Sequence, residues 1–260
     1  MKRPFEGRVV AVTGASKGIG YACAAAFLRE GARVALVSRS RANLDAALSR
    51  LNVSPTPLVI VADLTDASQA THAIDTIEQS LGPIDVLVNS AGAARRYPPG
   101  ELDHRAWRAA MDAKFFSYIH PTDIVVKRMA ARGRGAIVNI IGMGGKVAHA
   151  IHLPGGAANA ALMLATVGLA NAYADKGVRI NAINPGQTLT GRVQEGLEAE
   201  ARMTGESIDV LRKRSEARIP MGRSGTPEEI AEVVLFLASE RASYVTGAVI
   251  PMDGASNPVF

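Results

Sequence analysis

The stretch Val9-Val10-Ala11-Val12-Thr13-Gly14-Ala15-Ser16-Lys17-Gly18-Ile19-Gly20 joins two structural signals. A short β-branched run ends in a turn with three glycines, and an Ala-rich segment follows from Gly18 to Glu30 before Gly31. The continuous apolar run predicts a strand covered on both faces. The segment after it predicts a helix that stops at Gly31. Between them, the glycines let backbone N–H groups approach a pyrophosphate, and the helix N-terminus stabilises its charge. In this strand–turn–helix context the turn predicts a dinucleotide site.

Outward from this unit, the chain keeps alternating. Strand-like runs are 33–37, 58–62, 84–88, 135–141, 178–183 and 248–251. Helical spacing fills 43–51, 67–81, 103–132 and 155–176, with Pro121 expected to kink or break the third. Thr226-Pro227-Glu228-Glu229 starts a helix that runs to about Ser239, with Thr226 as N-cap and Pro227 in the first turn. Residues 190–220 read as irregular to helical. Alternation of this kind implies right-handed βαβ crossovers. The expected fold is α/β, a single Rossmann-fold domain over 1–260. It has a doubly wound parallel sheet of about seven strands and helices on both faces.

Of the 260 residues, 48% are hydrophobic and 20% charged, which excludes a disordered chain. The net charge of +5 is scattered and has no interleaved aromatic residues, so nucleic-acid binding is not expected. The charged, turn-rich start predicts no secretory signal. The apolar 156–170 segment is interrupted by Asn159 and Thr166 and reads as a buried helix, not a membrane span. The single cysteine, Cys23, offers no internal disulfide, and a cytoplasmic location is expected. Asp103-His104, and His72 with Asp75, do not form a metal-binding set, so no metal is expected.

Three further motifs follow in order: Asn89-Ser90-Ala91-Gly92, Asn184-Pro185-Gly186-Gln187-Thr188-Leu189-Thr190, and Tyr244-Val245-Thr246-Gly247 with Asp253-Gly254. With the turn at Thr13-Gly14, they resemble the short-chain dehydrogenase/reductase family of the classical type, from about residue 7 to 256. The resemblance implies that Thr13, Gly14, Gly18 and Gly20 shape the cofactor turn. It implies that Ser16 and Ile19 line the pyrophosphate, that Asp63 with Ala62 and Leu64 holds the adenine, and that Asn89, Ser90, Ala91 and Gly92 flank the adenosine ribose. It places Pro185, Gly186, Thr188 and Thr190 at the nicotinamide.

Charge argues the choice of cofactor. An acidic residue ending the second strand would bind the ribose 2′-OH of NAD and repel a 2′-phosphate. Here that strand ends Val37-Ser38-Arg39. Ser38 and Arg39 can bond a phosphate, and Lys17 adds charge, so NADP(H) is expected in preference to NAD(H).

The catalytic positions depart from the family pattern. The resemblance implies a proton-exchanging Tyr, a Lys four residues later, a Ser that orients the carbonyl and an Asn that supports a water relay. Placed by the flanking motifs, these fall on Gly155, Asn159 and Gly142, with the Asn position near Lys114. No tyrosine occurs between 133 and 172. The chain therefore reads as a divergent member lacking the usual Ser-Tyr-Lys-Asn set. His152 lies seven residues before Asn159, a spacing that resembles the Tyr and Lys of enoyl reductases in the same superfamily. Its imidazole can serve as general acid or base near neutral pH. Asn159 can hydrogen-bond the nicotinamide ribose, and Lys114 and Lys146 can restore the lost positive charge. Arg95, Arg96 and Arg192 flank the inferred pocket mouth, which suggests an anionic substrate.

The expected function is an NADP(H)-dependent oxidoreductase acting on a carbonyl, alcohol or enone, in the manner of a 3-oxoacyl reductase, with a non-standard proton donor. A catalytically degenerate NADP(H)-binding module, and a non-redox lyase or isomerase on the same scaffold, remain open. The resemblance also implies a homo-oligomer, a dimer or tetramer, packed through the helices near 103–130 and 155–176. It implies a substrate lid over 190–220, with Met203, Ile208, Val210, Leu211 and Ile219 as contacts.

Overall fold

Val9–Thr13 forms β1, and each of its five residues is buried. The computed structural model describes residues 3–92 and 94–258. The side chains at 192, 195, 196, 199 and 203 lie outside the described residues, and with them the expectations placed on Arg192 and Met203.

Two strands flank β1 in parallel, β2 (Arg33–Ser38) and β4 (Val86–Asn89). Beyond them lie β3 (Leu58–Val61) on one side and β5 (Gly135–Ile140), β6 (Val178–Pro185) and β7 (Val249–Met252) on the other. The seven-stranded sheet has the order β3-β2-β1-β4-β5-β6-β7, and every pairing is parallel. The chain moves outward from β1 to β3, then crosses back to β4 and moves the other way. That reversal opens a crevice beyond the carboxyl ends of β1 and β4, where such sheets bind ligands.

Helices cover both faces, as the apolar strands require. On one side α1 (Gly18–Arg29), α2 (Arg41–Leu51) and α9 (Pro227–Ala238) bury Phe27, Leu44 and Val234 against Val10, Val12 and Leu36. On the other, α3 (Ala67–Leu81), α5 (Ser117–Ala131) and α6 (Leu153–Tyr173) bury Ile74, Val125 and Ala170 against Leu87 and Ile137. Thr226 and Glu229 form a reciprocal capping box at the start of α9, as the Thr-Pro-Glu-Glu motif predicts.

The long helix expected over 103–132 is divided, and the division precedes Pro121. It consists of α4 (His104–Ala110), a π-helical turn at Met111–Phe116, and α5. Pro121 has no N–H to donate to the carbonyl of Ser117, and its ring would crowd that carbonyl. The wider turn immediately upstream adjusts the backbone where the regular ladder fails. Residues 190–220 contain two helices, α7 (Gly191–Thr204) and α8 (Ile208–Glu216). Arg214 ties them together through Glu200 at 2.9 Å and Glu206 at 2.8 Å. Leu211 and Ile219 are buried, Ile208 is half-buried and Val210 is exposed.

The segment Ala150–Lys176 is long and apolar enough to cross a membrane by length and composition, yet half of its apolar window is buried inside the molecule. Leu162, Met163 and Ala170 of α6 pack into the core, as expected of a core helix.

Candidate active site

The glycine-rich turn is fixed from behind by close backbone packing. Gly14 has φ +65°, and a Cβ there would lie 2.6 Å from the Ser90 carbonyl oxygen. Thr13 Oγ1 accepts hydrogen bonds from Ser90 N at 3.0 Å and Ala91 N at 3.2 Å. Thr13 and Ser90 thus join the ends of β1 and β4. Helix α1 begins at Gly18 with no side-chain cap, leaving its first-turn N–H groups available for an anion.

Beside this turn is a cavity of about 130 Å³. Gly14, Ser38, Arg39, Ala62, Asp63, Leu64, Ala91 and Gly92 line it, all expected from the sequence, together with Val37, Thr65, Ala113 and Ser117, which were not. The Asp63 carboxylate is held by Thr65, from backbone N at 3.0 Å and Oγ1 at 2.8 Å. Asn89 is not in the lining. Its Nδ2 donates to Thr122 Oγ1 and Asn139 Oδ1, each at 2.9 Å, so its side chain binds α5 to the sheet.

One corner of the cradle gathers cations. The hydroxyls of Ser16 and Ser38 meet at 3.1 Å. Lys17 and Arg39 are exposed on either side. Arg50, which no sequence motif marks, reaches from α2 to donate to the Ser16 carbonyl at 3.2 Å, with its guanidinium 4.1 Å from the centre of the Tyr21 ring. Asp45 is paired with Arg41 at 2.9 Å, and Arg39 has no acidic partner among the described residues. The cavity, the uncapped helix start and this basic corner together fit a phosphorylated dinucleotide.

The other end of the crevice belongs to β5, β6 and α6. Thr190 folds over the glycine-rich turn, its Cγ2 3.3 Å from where a Cβ on Gly18 would lie. Gly186 lies against Asp253, where a Cβ would come within 2.6 Å of the Asp253 Cβ. Thr188 is buried and donates to the Gly186 carbonyl at 3.3 Å. These contacts draw the Pro185–Thr190 segment and the Asp253-Gly254 tail onto the cofactor end of the sheet.

Three sequence-predicted positions, His152, Gly155 and Asn159, come together at this end. The His152 imidazole lies between Gly144 and Gly155. A Cβ on Gly155 would be 2.7 Å from His152 Nε2 and 2.8 Å from the Ala94 Cβ. The ring therefore fills the space into which a side chain at 155 would project. A Cβ on Gly144 would lie 3.0 Å from His152 Cδ2 and 3.5 Å from Asn159 Nδ2, so imidazole and amide border the same point. His152 Nδ1 and Asn159 Oδ1 are buried atoms with no hydrogen-bond partner among the described residues. Such atoms are those a bound group would meet.

Lys114 comes from the π-helical turn, a feature frequent at functional sites. It is nearly buried, and its Nζ donates to the Ile141 carbonyl at 3.1 Å. Lys146 follows the short 3₁₀ turn Met143–Gly145, on the loop leading to His152. Burial lowers the His152 pKa, and the positive charges of Arg96, Lys114 and His149 lower it further. Among the described residues no cluster of three or more metal-ligating side chains occurs.

The pattern of the family described as enoyl-(acyl carrier protein) reductase matches residues 14–256. The chain is an oxidoreductase of the short-chain dehydrogenase/reductase family. Among its relatives in this family, galactitol 2-dehydrogenase (L-tagatose-forming) of Cereibacter sphaeroides is 38% identical, over 96% of this chain and 95% of the relative. The 3-oxoacyl-[acyl-carrier-protein] reductase of Thermotoga maritima is 34% identical, over 96% of this chain and 98% of the relative. Among solved structures, L-sorbose reductase from Gluconobacter frateurii, complexed with NADPH and L-sorbose, superposes with a TM-score of 0.94. That short-chain reductase is 27% identical, with complete coverage of both chains.

Proposed function

We propose that this oxidoreductase reduces a carbonyl compound with NADPH and that His152 delivers the proton. The observation that carries the reading is the imidazole seated in the space opened by Gly155. A side chain at 155 and the ring of His152 exclude one another, and the chain has no tyrosine from 133 to 172. The proton chemistry of the missing Tyr–Lys pair falls to His152, with Lys114 as the nearby cation and Asn159 as the polar partner on α6.

NADPH would be held by the turn at Gly14–Gly20, by Asp63 and Leu64 at the adenine, and by Ser16, Lys17, Ser38, Arg39 and Arg50 at the 2′-phosphate. Pro185 to Thr190 would hold the nicotinamide. Bound there, it supplies a hydride to the carbonyl carbon. His152 then gives one proton to the carbonyl oxygen, which becomes the hydroxyl of the product. Lys114 stabilises negative charge developing on that oxygen. Leu211 and Ile219 would anchor the 190–220 segment as a lid.

Ala157, Ala160, Leu164 and Val167 form an exposed apolar stripe on α6, and Trp107 is exposed on α4, which packs against α6. A stripe of this kind marks an interface, and the reading includes a homo-oligomer.

Titration with NADPH and NADH, followed by nicotinamide fluorescence, tests the cofactor half. Tight NADPH and weak NADH binding is the expected result. Binding of neither would leave the binding-module or non-redox readings in its place. His152→Phe tests the catalytic half: kcat falls about 10²–10⁴-fold with unchanged NADPH affinity. An unchanged kcat across pH 5–9 would remove His152 from the mechanism.

A further inference from the structure

The segment after β4 packs beside the loop that carries the proposed proton donor. Tyr97 N donates to the Ile151 carbonyl at 3.0 Å, fastening this segment to the loop that carries His152. The Ala94 methyl lies against Gly155 from the same side. Arg96 sits between these two anchors. Its neighbour Arg95 is turned onto the Tyr97 ring, 5.2 Å from its centre, whereas Arg96 makes no ion pair among the described residues. Among the described residues, the groups whose charge acts on His152 are Arg96, Lys114 and His149, from three different segments, and none of these is acidic.

We propose that the substrate carries an oxyanionic group, such as a carboxylate, in addition to its reducible carbonyl, and that Arg96 binds that anion beside His152. The proposal rests on the reductase reading for its chemistry and, for its specificity, on Arg96, bracketed by the two anchors that fix its segment beside the His152 loop. A guanidinium offers paired donors in a plane that matches a carboxylate. An anionic substrate would supply the counter-charge that Arg96 lacks among the described residues.

The anion has a second effect. With the pocket empty, positive neighbours disfavour the imidazolium. A bound anion offsets them, and by linkage raises the proton affinity of His152 when substrate is present. The proton donor is then charged by the substrate it serves. The overall reaction stays balanced: hydride from NADPH and one proton from His152 convert ketone to alcohol, NADP⁺ leaves, and solvent reprotonates the imidazole.

The test uses straight-chain 2-, 3- and 4-oxo acids, each paired with its methyl ester, on the full chain. Two readouts are taken: NADPH oxidation, and the NMR titration of the His152 imidazole without cofactor. The acids are expected to move the imidazole titration to higher pH and to be reduced with kcat/KM at least tenfold above their esters. Arg96→Ala is expected to lower that acid-to-ester ratio about tenfold or more, and Arg96→Lys to restore part of it. Esters that match the acids in both readouts, acids that leave the imidazole unmoved, or a ratio insensitive to Arg96→Ala would overturn the proposal. Acids that move the imidazole while no NADPH is consumed would leave the anion site standing and remove the reductase reading instead.

Discussion

In the proposed mechanism His152 is the residue on which the chemistry turns, and its surroundings would set the pH dependence. Its pKa lies below the ordinary imidazole value of about 6.5, first through burial and then through Arg96, Lys114 and His149. The proton-donating form exists below that pKa. The rate of reduction, as kcat/KM, is therefore expected to rise as pH falls toward and below 6.5. Lys114→Met removes one of the opposing cations, so the inflection should move to higher pH, while burial keeps it from returning fully. A pH profile of the two proteins checks this. Gly155 gives a second expectation at this scale. Gly155→Ala would drive a methyl into the imidazole and Ala94, lowering stability and activity together. Removing the ring in His152→Ala recreates the space. Thermal melts should show the double variant more stable than the sum of the single variants predicts, because the two positions share one volume.

At the scale of elements, the end of β2 and the turn before α1 would, on the NADPH reading, act as one cofactor-selecting unit. The hydroxyl pair of Ser16 and Ser38 links them, and Lys17, Arg39 and Arg50 surround it with positive charge. Ser38→Asp places a carboxylate in that corner. It is expected to weaken NADPH binding by tenfold or more and to favour NADH, as measured by fluorescence titration. Helix α9 supplies a stability test remote from the site. Thr226→Ala breaks the capping box with Glu229 and should cost about 1 kcal/mol. For a chain of this size that corresponds to roughly 2–4 °C in Tm, and Thr226→Ser should recover most of it.

Across the whole molecule, seven parallel strands place their carboxyl ends along one edge, and the reversal between β1 and β4 gathers motifs from distant parts of the chain. The same layout leaves Leu164, Val167 and Trp107 on the outside, with Leu164 76% exposed. If that stripe is an interface between copies, Leu164→Glu should lower the sedimenting mass of the native protein while the far-UV spectrum stays unchanged. An unaltered mass would remove this face from any assembly.

The sequence by itself determined the sheet, the crossovers and the cofactor turn. β-branched runs have only one way to bury both faces, and a glycine-rich strand–helix turn has a local geometry of its own. The absence of tyrosine from 133 to 172 was legible in the same way, since it requires no coordinates. Only the tertiary structure decided what fills the space at Gly155, because the answer depends on a ring three residues away and a methyl from the segment after β4. Arg50 became part of the basic corner only when α2 folded back over Ser16. The commitment of Asn89 to Thr122 and Asn139 likewise depended on β4, β5 and α5 coming together. Local runs encode strands and turns through nearest-neighbour sterics and burial; a site made of side chains from separate segments exists only where packing brings them within bonding distance.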